Sequence, residues 1–262
     1  MLDGLEFVKK NKLRDFIFTE EGGFVRMPNG LEFWFDPTKY NGMIHPLMFS
    51  DMRCDIEEVT TLQTILKNIS NSIIIDAGAG YGDYACGMAF NTNAIVYAFE
   101  PELALYSSLV KTAQHNKLDK RVHCYNLALA DKEGFLDVKI PNQKIIFPTT
   151  TIDNLIEKEN VERVDFIKAD IEGAELNMLK GSVGCLKKFK PHLLLEIVEE
   201  HSERMGNSVD ELLKFLHEFG YENCAYVTEK EQIFINPIED LKKVLSKEYN
   251  FFFWHKDKKF NL

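Results

Sequence analysis

The chain has 262 residues, of which 45% are hydrophobic and 27% charged, a balance that suits a globular protein with a sizeable core, built as one elaborated domain or one domain with a small addition. No run of about 18 apolar residues occurs, so no membrane span is expected, and Met1–Arg14 mixes charges of both signs without an apolar signal core. The net charge of −10 argues against a duplex-binding surface, which needs clustered Lys and Arg, so no nucleic-acid partner is expected.

In chain order, Phe24-Val25-Arg26-Met27 and Leu31–Phe35 flank Pro28-Asn29-Gly30, a hairpin signal. Asp36–Asp55 lacks periodicity and reads as loop, and Ile56–Ile69 carries apolar residues at three-and-four spacing, which predicts an amphipathic helix. From Asn71 on, short apolar runs alternate with helical patterns. The runs are Ile73–Ile75 before Asp76, Ala94–Phe99 before Glu100, Val122–Leu129, Val164–Lys168 before Asp170, and Leu193–Ile197 around Glu196. The helical patterns are Gly82–Phe90, Leu103–Asn116, Glu172–Lys188 and Val209–Phe219. Such alternation predicts a doubly wound α/β domain, its parallel sheet covered on both faces. In the tail, Tyr221–Val227, Gln232–Ile235 and Asn250–His255 predict an antiparallel edge. Residues 71–262 therefore read as the main domain. Residues 1–70 read as an N-terminal extension that the core fold does not require, with a cap over the substrate as its expected role.

Cys54, Cys86, Cys124, Cys185 and Cys224 are odd in number and widely spaced. They signal neither a disulfide framework nor a zinc site, and reduced thiols in a cytoplasmic protein are expected.

The sharpest local signal is Asp76-Ala77-Gly78-Ala79-Gly80-Tyr81-Gly82, a glycine-rich turn after the first parallel strand. In a doubly wound sheet that turn lies where ligands bind. Its glycines lack the Gly-x-Gly-x-x-Gly spacing of a pyrophosphate loop. Asp76 before the loop would repel a pyrophosphate but suits the cationic amino group of S-adenosylmethionine (SAM), directly or through water. Glu100, ending the second strand, can accept both ribose hydroxyls of an adenosine, in SAM or in NAD.

Further pieces follow in order: Val96-Tyr97-Ala98-Phe99-Glu100-Pro101, Asn126-Leu127-Ala128-Leu129-Ala130-Asp131 and Thr149–Leu155. Then come Ile167-Lys168-Ala169-Asp170-Ile171-Glu172-Gly173-Ala174-Glu175, continuing to Leu179-Lys180-Gly181, and Pro191–Ile197. On these pieces the chain resembles the FkbM family of SAM-dependent methyltransferases. Gly80 stands where that family commonly has Asn and matches the broader methyltransferase pattern. The resemblance implies a class I, Rossmann-like fold with a seven-stranded, mainly parallel sheet ending in an antiparallel hairpin. It implies SAM as cofactor and methyl transfer, usually to an oxygen of a small or carbohydrate acceptor. The candidate cofactor residues are Asp76, Gly78, Ala79, Gly80, Tyr81, Gly82, Glu100, Pro101, Ala128 and Asp170. Residues 1–70 have no assigned relative.

Methyl transfer to a hydroxyl requires alignment and uptake of a proton. Asp170, Glu172 and Glu196 are the candidate catalytic acids, because strand ends face the ligand crevice in this fold. Capping or dipole roles compete for Asp170 and Glu172, and a structural ion pair competes for Glu196. Glu175 reads as a helix-surface or packing acid, His201 as a surface histidine before a base near neutral pH, and Lys168 as a partner for a nearby acid. Phe135 and Phe147 flank a loop after the third strand; these two, with Trp34, Phe35 and Tyr40, read as core packing before pocket lining. The acids' spacing does not demand a metal ion. An NAD-linked dehydrogenase and a catalytically silent SAM-fold partner subunit are the competing functions.

Overall fold

The computed structural model describes residues 15–19, 22–27, 29–36, 59, 62–64, 66, 69–140, 143–227, 232–235, 237–245 and 249–258. Three antiparallel strands come first, β1 (Asp15–Thr19), β2 (Gly22–Arg26) and β3 (Glu32–Phe35). The expected hairpin joins β2 to β3: Met27 donates its N–H to the Leu31 carbonyl at 2.8 Å, and the Asn29 side-chain oxygen accepts the Leu31 N–H at 3.0 Å. Residues 59, 62–64 and 66 of the expected Ile56–Ile69 helix are helical. The rest of that helix up to residue 68, and residues 37–55 of the expected loop with Tyr40, lie outside the described residues.

The main domain follows as β4 (Ile73–Ala77), α1 (Asp83–Ala89), β5 (Ile95–Phe99), α2 (Leu103–His115), β6 (Val122–Tyr125), β7 (Ala128–Leu129), β8 (Gly134–Ile140) and β9 (Gln143–Thr150). Next are α3 (Ile152–Lys158), β10 (Phe166–Ala169), α4 (Glu175–Lys180), α5 (Val183–Phe189), β11 (His192–Glu196) and α6 (Glu199–Arg204). The chain closes with α7 (Val209–Glu218), β12 (Tyr221–Val227), β13 (Gln232–Ile235), a 3-10 turn (Ile238–Lys243) and β14 (Asn250–His255).

Eight strands form the central sheet in the order β13-β12-β14-β11-β10-β4-β5-β6. β6, β5, β4, β10 and β11 are parallel, and β14, β12 and β13 are antiparallel. Seven of them make the mainly parallel sheet with its antiparallel end; β13 adds an eighth at the edge, where Gln232–Ile235 reads as strand. The parallel strands are apolar because helices cover both faces: Ile75, Ile167, Leu193 and Leu195 are fully buried on one side, and Ile74, Val96, Phe166 and Leu194 on the other.

Three features depart from the sequence pattern. The run Val122–Leu129 breaks at Asn126, whose side-chain amide donates to the Glu100 and Pro101 carbonyls at 2.9 and 3.0 Å. Beyond it, β7 leaves the central sheet and joins a second one in the order β7-β9-β8. Phe135 and Phe147 therefore flank the connection of a β-hairpin from its two strands, and Phe135, 77% exposed, is not the core residue expected of it. The pattern Glu172–Lys188 is two helices, α4 and α5. Glu172 and Gly173, at φ 56° and 97°, hold a turn that delays the start of α4, and Ala174 is its cap residue, so Asp170 caps no helix. Gly181 then separates the helices: a Cβ there would lie 2.0 Å from the Ala130 carbonyl oxygen.

The N-terminal sheet packs over α1 and α2. Val25, Met27, Leu31, Phe33 and Phe35 share a core with Tyr84, Met88, Leu109 and Ala113. Trp34 donates its main-chain N–H to Thr112 Oγ1 at 3.0 Å, and the Asn116 side-chain amide donates to the Glu32 carbonyl at 2.7 Å. The Glu32 carboxylate also pairs with Arg26 and His115. Trp34 and Phe35 are packing residues, as read from the sequence. Cys86, Cys124, Cys185 and Cys224 are unbridged. Among the described residues no helix is long and apolar enough to cross a membrane.

Candidate active site

A cavity of about 450 Å³ opens at the carboxyl ends of β4, β5 and β10. Gly78, Gly80, Glu100 and Pro101 line one side, Ala128 contributes from β7, and Asp170 and Glu172 stand at the same cavity. A further wall is the β8–β9 hairpin, and Leu105 lines the cavity from α2. Leu136 opposite Phe147, with Val138 two pairs further along, faces the cavity, while Phe135 and Ile146 on the other face are exposed. A larger depression, about 580 Å³, lies at the opposite end of the strands near Ser72 and Ala94. Among the described residues no titratable side chain lines it, so they offer there none of the chemistry gathered at the first cavity.

The glycine loop is tied down by main-chain bonds. Gly78 and Ala79 donate N–H groups to the Phe99 carbonyl at 3.0 and 2.9 Å. Gly80 donates to Glu100 Oε2 at 2.9 Å, and Glu102 donates to Glu100 Oε1 at 2.8 Å. Gly78 has φ 74°, and a Cβ on it would sit 1.9 Å from the Asp170 carbonyl oxygen, so only glycine lets the two strand ends close up. Burial pushes the Glu100 carboxyl up to about 7, against the two N–H groups that favour its charge.

Asp76, Ala79, Tyr81 and Gly82 stand behind the cavity surface. Asp76 is 1% exposed, and its carboxylate oxygens lack a hydrogen bond among the described residues. Lys168 answers its charge at 3.5 Å, while donating to the Gly78 carbonyl at 2.9 Å and lying 3.8 Å from Asp170. Burial raises the Asp76 carboxyl and Lys168 opposes it. Burial likewise works against the Lys168 ammonium, but Asp76 and Asp170 outweigh it and hold Lys168 above the usual lysine range. Lys168 is thus the expected partner of nearby acids, and it fastens the loop to β10.

The candidate acids meet at the open end. Asp170 is half-exposed beside the cavity. Glu196, at the end of β11, is mostly buried and pushed up to about 8, first by burial and then by the nearby charges of Asp170, Glu172 and Glu175. Glu172 is largely exposed and pairs with His201 Nδ1 at 3.1 Å and Arg204 at 3.7 Å. His201 is only 24% exposed, its Nδ1 also 3.8 Å from Glu196. The sequence undervalued His201 because both its acidic partners lie on other elements; only the position of α6 directly after β11 hinted at it. Glu175 is a packing acid, accepting the Ile171 and Gly173 N–H groups at 3.1 and 3.3 Å. Among the described residues no cluster of ligating side chains suits a metal ion.

The family model for the methyltransferase FkbM domain matches residues 76–222, more than half of the chain. A curated relative, the hexuronic acid methyltransferase AglP of Haloferax volcanii, is 26% identical over 155 residues, covering 55% of this chain and 62% of its own length. A solved methyltransferase FkbM from Methylobacillus flagellatus KT is 20% identical with a TM-score of 0.49, over 71% of this chain and 44% of that one. The METTL16 methyltransferase domain superposes with a TM-score of 0.50 at 12% identity, over 79% of this chain and 69% of that one. The chain spans less than two thirds of the AglP relative and under half of the M. flagellatus chain. The match runs from Asp76, before the glycine loop, to Glu222 in β12, and on it the chain belongs to the FkbM family of methyltransferases.

Proposed function

We propose that the protein is a SAM-dependent methyltransferase that methylates a hydroxyl oxygen of a sugar or small molecule. The observation that carries this reading is the glycine loop against Glu100: a turn at the cavity that closes on the end of β10 only because Gly78 has no side chain, beside a buried carboxylate that a ribose could engage. A cavity of about 450 Å³ falls within the usual range for small-molecule and cofactor sites. Bound SAM would supply an electrophilic methyl group on a sulfonium. Glu100 accepts the ribose hydroxyls, the main chain around Gly78 and Gly80 lets the ligand approach closely, and Pro101, Ala128 and the hairpin wall exclude water. Asp76, paired with Lys168, sets the loop from behind.

At the open end Asp170 orients the acceptor hydroxyl and takes its proton. Glu196, whose carboxyl feels the Asp170 charge, is the next acceptor for that proton, and His201 lies 3.8 Å beyond it. The hexuronic acid in the name of the H. volcanii relative supports a carbohydrate acceptor. The acids at this end favour an acceptor without its own carboxylate, so a neutral sugar or small alcohol, and not a hexuronic acid itself, is the acceptor proposed.

Calorimetric titration with SAM and with NAD tests the reading. SAM binding without NAD binding is expected, with methyl transfer to a compound found by screening sugars and small alcohols. NAD binding alone would revive the dehydrogenase. Weak or absent binding of both, with no transfer, would leave a silent partner subunit.

A further inference from the structure

We infer that the N-terminal sheet is a working part of the cofactor site, with Phe33 acting through Tyr81 as a positioning residue for the glycine loop. The inference rests on the SAM reading above.

Tyr81 is the loop residue between Gly80 and Gly82, whose φ angles are 53° and 100°. Two such residues in succession around one side chain leave the loop's shape to whatever holds that side chain, because glycine imposes little preference of its own. The Phe33 ring meets Tyr81 edge to face, with centroids 5.7 Å apart and planes at 89°. Phe33 is itself immobilised. It is 3% exposed, and its neighbours in β3 are bonded to the far end of α2, Glu32 to Asn116 and Trp34 to Thr112. α2 also touches the loop: a Cβ on Gly82 would lie 2.8 Å from Leu109 Cδ1. The loop is therefore backed by α2 directly and by α2 again through β3, Phe33 and Tyr81.

No described residue of the N-terminal sheet lines the cavity. Any effect of the sheet on cofactor affinity must therefore be indirect, through the loop or through α2, whose Leu105 lines the cavity.

The test is a double-variant cycle read by calorimetric SAM affinity, with thermal melting of each protein. Phe33→Leu keeps an apolar side chain of similar bulk and removes the ring edge; its SAM Kd should rise about 3- to 10-fold, the range an aromatic pair spans. Tyr81→Leu should weaken binding at least as much, and the double variant no more than Tyr81→Leu alone. Trp34→Phe, which alters ring contacts with Lys111 and Phe24 but keeps the main-chain bond to Thr112 that anchors β3 beside Phe33, should lower the melting temperature and leave Kd unchanged. Unaltered affinity in Phe33→Leu, losses that multiply in the double variant, or an equal loss in Trp34→Phe would each overturn the inference. A wild-type protein that binds no SAM would overturn the SAM reading and this inference with it.

Discussion

The place a side chain would take on Gly173 is filled by the main chain of His201: a Cβ there would lie 2.2 Å from the His201 carbonyl oxygen and 2.7 Å from the Ser202 nitrogen. With φ 97°, Gly173 is also in a conformation that favours glycine. Its smallness lets α6 press onto the turn after β10, which brings the His201 ring to Glu172 and Glu196.

Gly173→Ala should push α6 outward. A stability loss of about 1–3 kcal/mol is expected, with turnover reduced and SAM affinity nearly unchanged, since the contact lies on the acceptor side. Melting and SAM titration of the same variant decide it; an equal loss of SAM affinity would place Gly173 with the cofactor loop.

Glu100 gives cofactor binding a pH dependence. In the free protein its carboxyl is held up to about 7 by burial. Hydroxyl donors favour the ionised form, so SAM affinity should rise from pH 6 to pH 8, with proton release on binding near pH 7. Glu100→Gln should bind SAM roughly 1.5–3 kcal/mol more weakly and without that slope. Calorimetry in buffers of different ionisation enthalpy measures both; an affinity flat in pH in the wild type would remove Glu100 from the ribose contact.

Asp170→Asn should lower turnover by roughly 10²–10⁴-fold, the range for a positioned base, while SAM affinity changes less. Glu196, raised to about 8, becomes the better proton acceptor as pH rises, so the wild-type rate should climb through about pH 8 and Glu196→Gln should flatten the climb. Turnover within tenfold of wild type in Asp170→Asn would shift the base to Glu196 or His201.

Glu175 links stability to pH. Burial raises its carboxyl from 4.5 to about 7, so between those values the folded protein keeps a proton that the unfolded chain has lost. That contribution is complete below about pH 4.5 and disappears as pH rises through 7. Melting temperature should therefore fall from pH 5 to pH 8, and Glu175→Gln should reduce the slope. A variant with the wild-type slope would show that this carboxyl titrates normally.

A chain starting near Asp55 would lack β1–β3 and expose the α1–α2 surface they cover. Leu31, Phe33 and Phe35 are each 2–3% exposed. Burying one such side chain is worth roughly 1.5–3 kcal/mol, so losing these three with Val25 and Met27 takes away most of a typical folding margin of about 5–15 kcal/mol. The truncated chain should be largely unfolded or aggregated by circular dichroism and light scattering. Wild-type melting and SAM affinity in it would show that the extension is dispensable, and would confine any role in acceptor capping to turnover alone.

Much of the frame is legible in the sequence because local chemistry dictates it. The Ile73–Ile75 run, the Gly78–Gly82 turn, the Asn29-Gly30 hairpin and the three tail strands are all set by residues adjacent in the chain. What is not legible depends on distant partners. The apolar periodicity of Glu172–Lys188 continues unbroken, and only the Ala130 carbonyl packed against Gly181 shows why the helix must stop. His201 looks like a surface residue until β11 and the Glu172 turn are brought beside it. The N-terminal hairpin can be read, but its seat on α2 depends on Thr112 and Asn116, which carry no marking in the sequence.

Alternation along the β8–β9 hairpin makes its two faces independently adjustable. Even positions in β8, Leu136 and Val138, shape the cavity, while odd ones, Phe135 and Asp137, meet solvent. Substitutions at the even set can therefore resize the ligand space without changing the exterior, and the odd set can vary without changing the ligand space. An insertion or deletion of a single residue between Gly134 and Val138 would couple the two. It would turn the wall inside out, carrying the Asp137 carboxylate into the cavity and Leu136 into water, so natural length variation in this hairpin should occur at its tip or in steps of two.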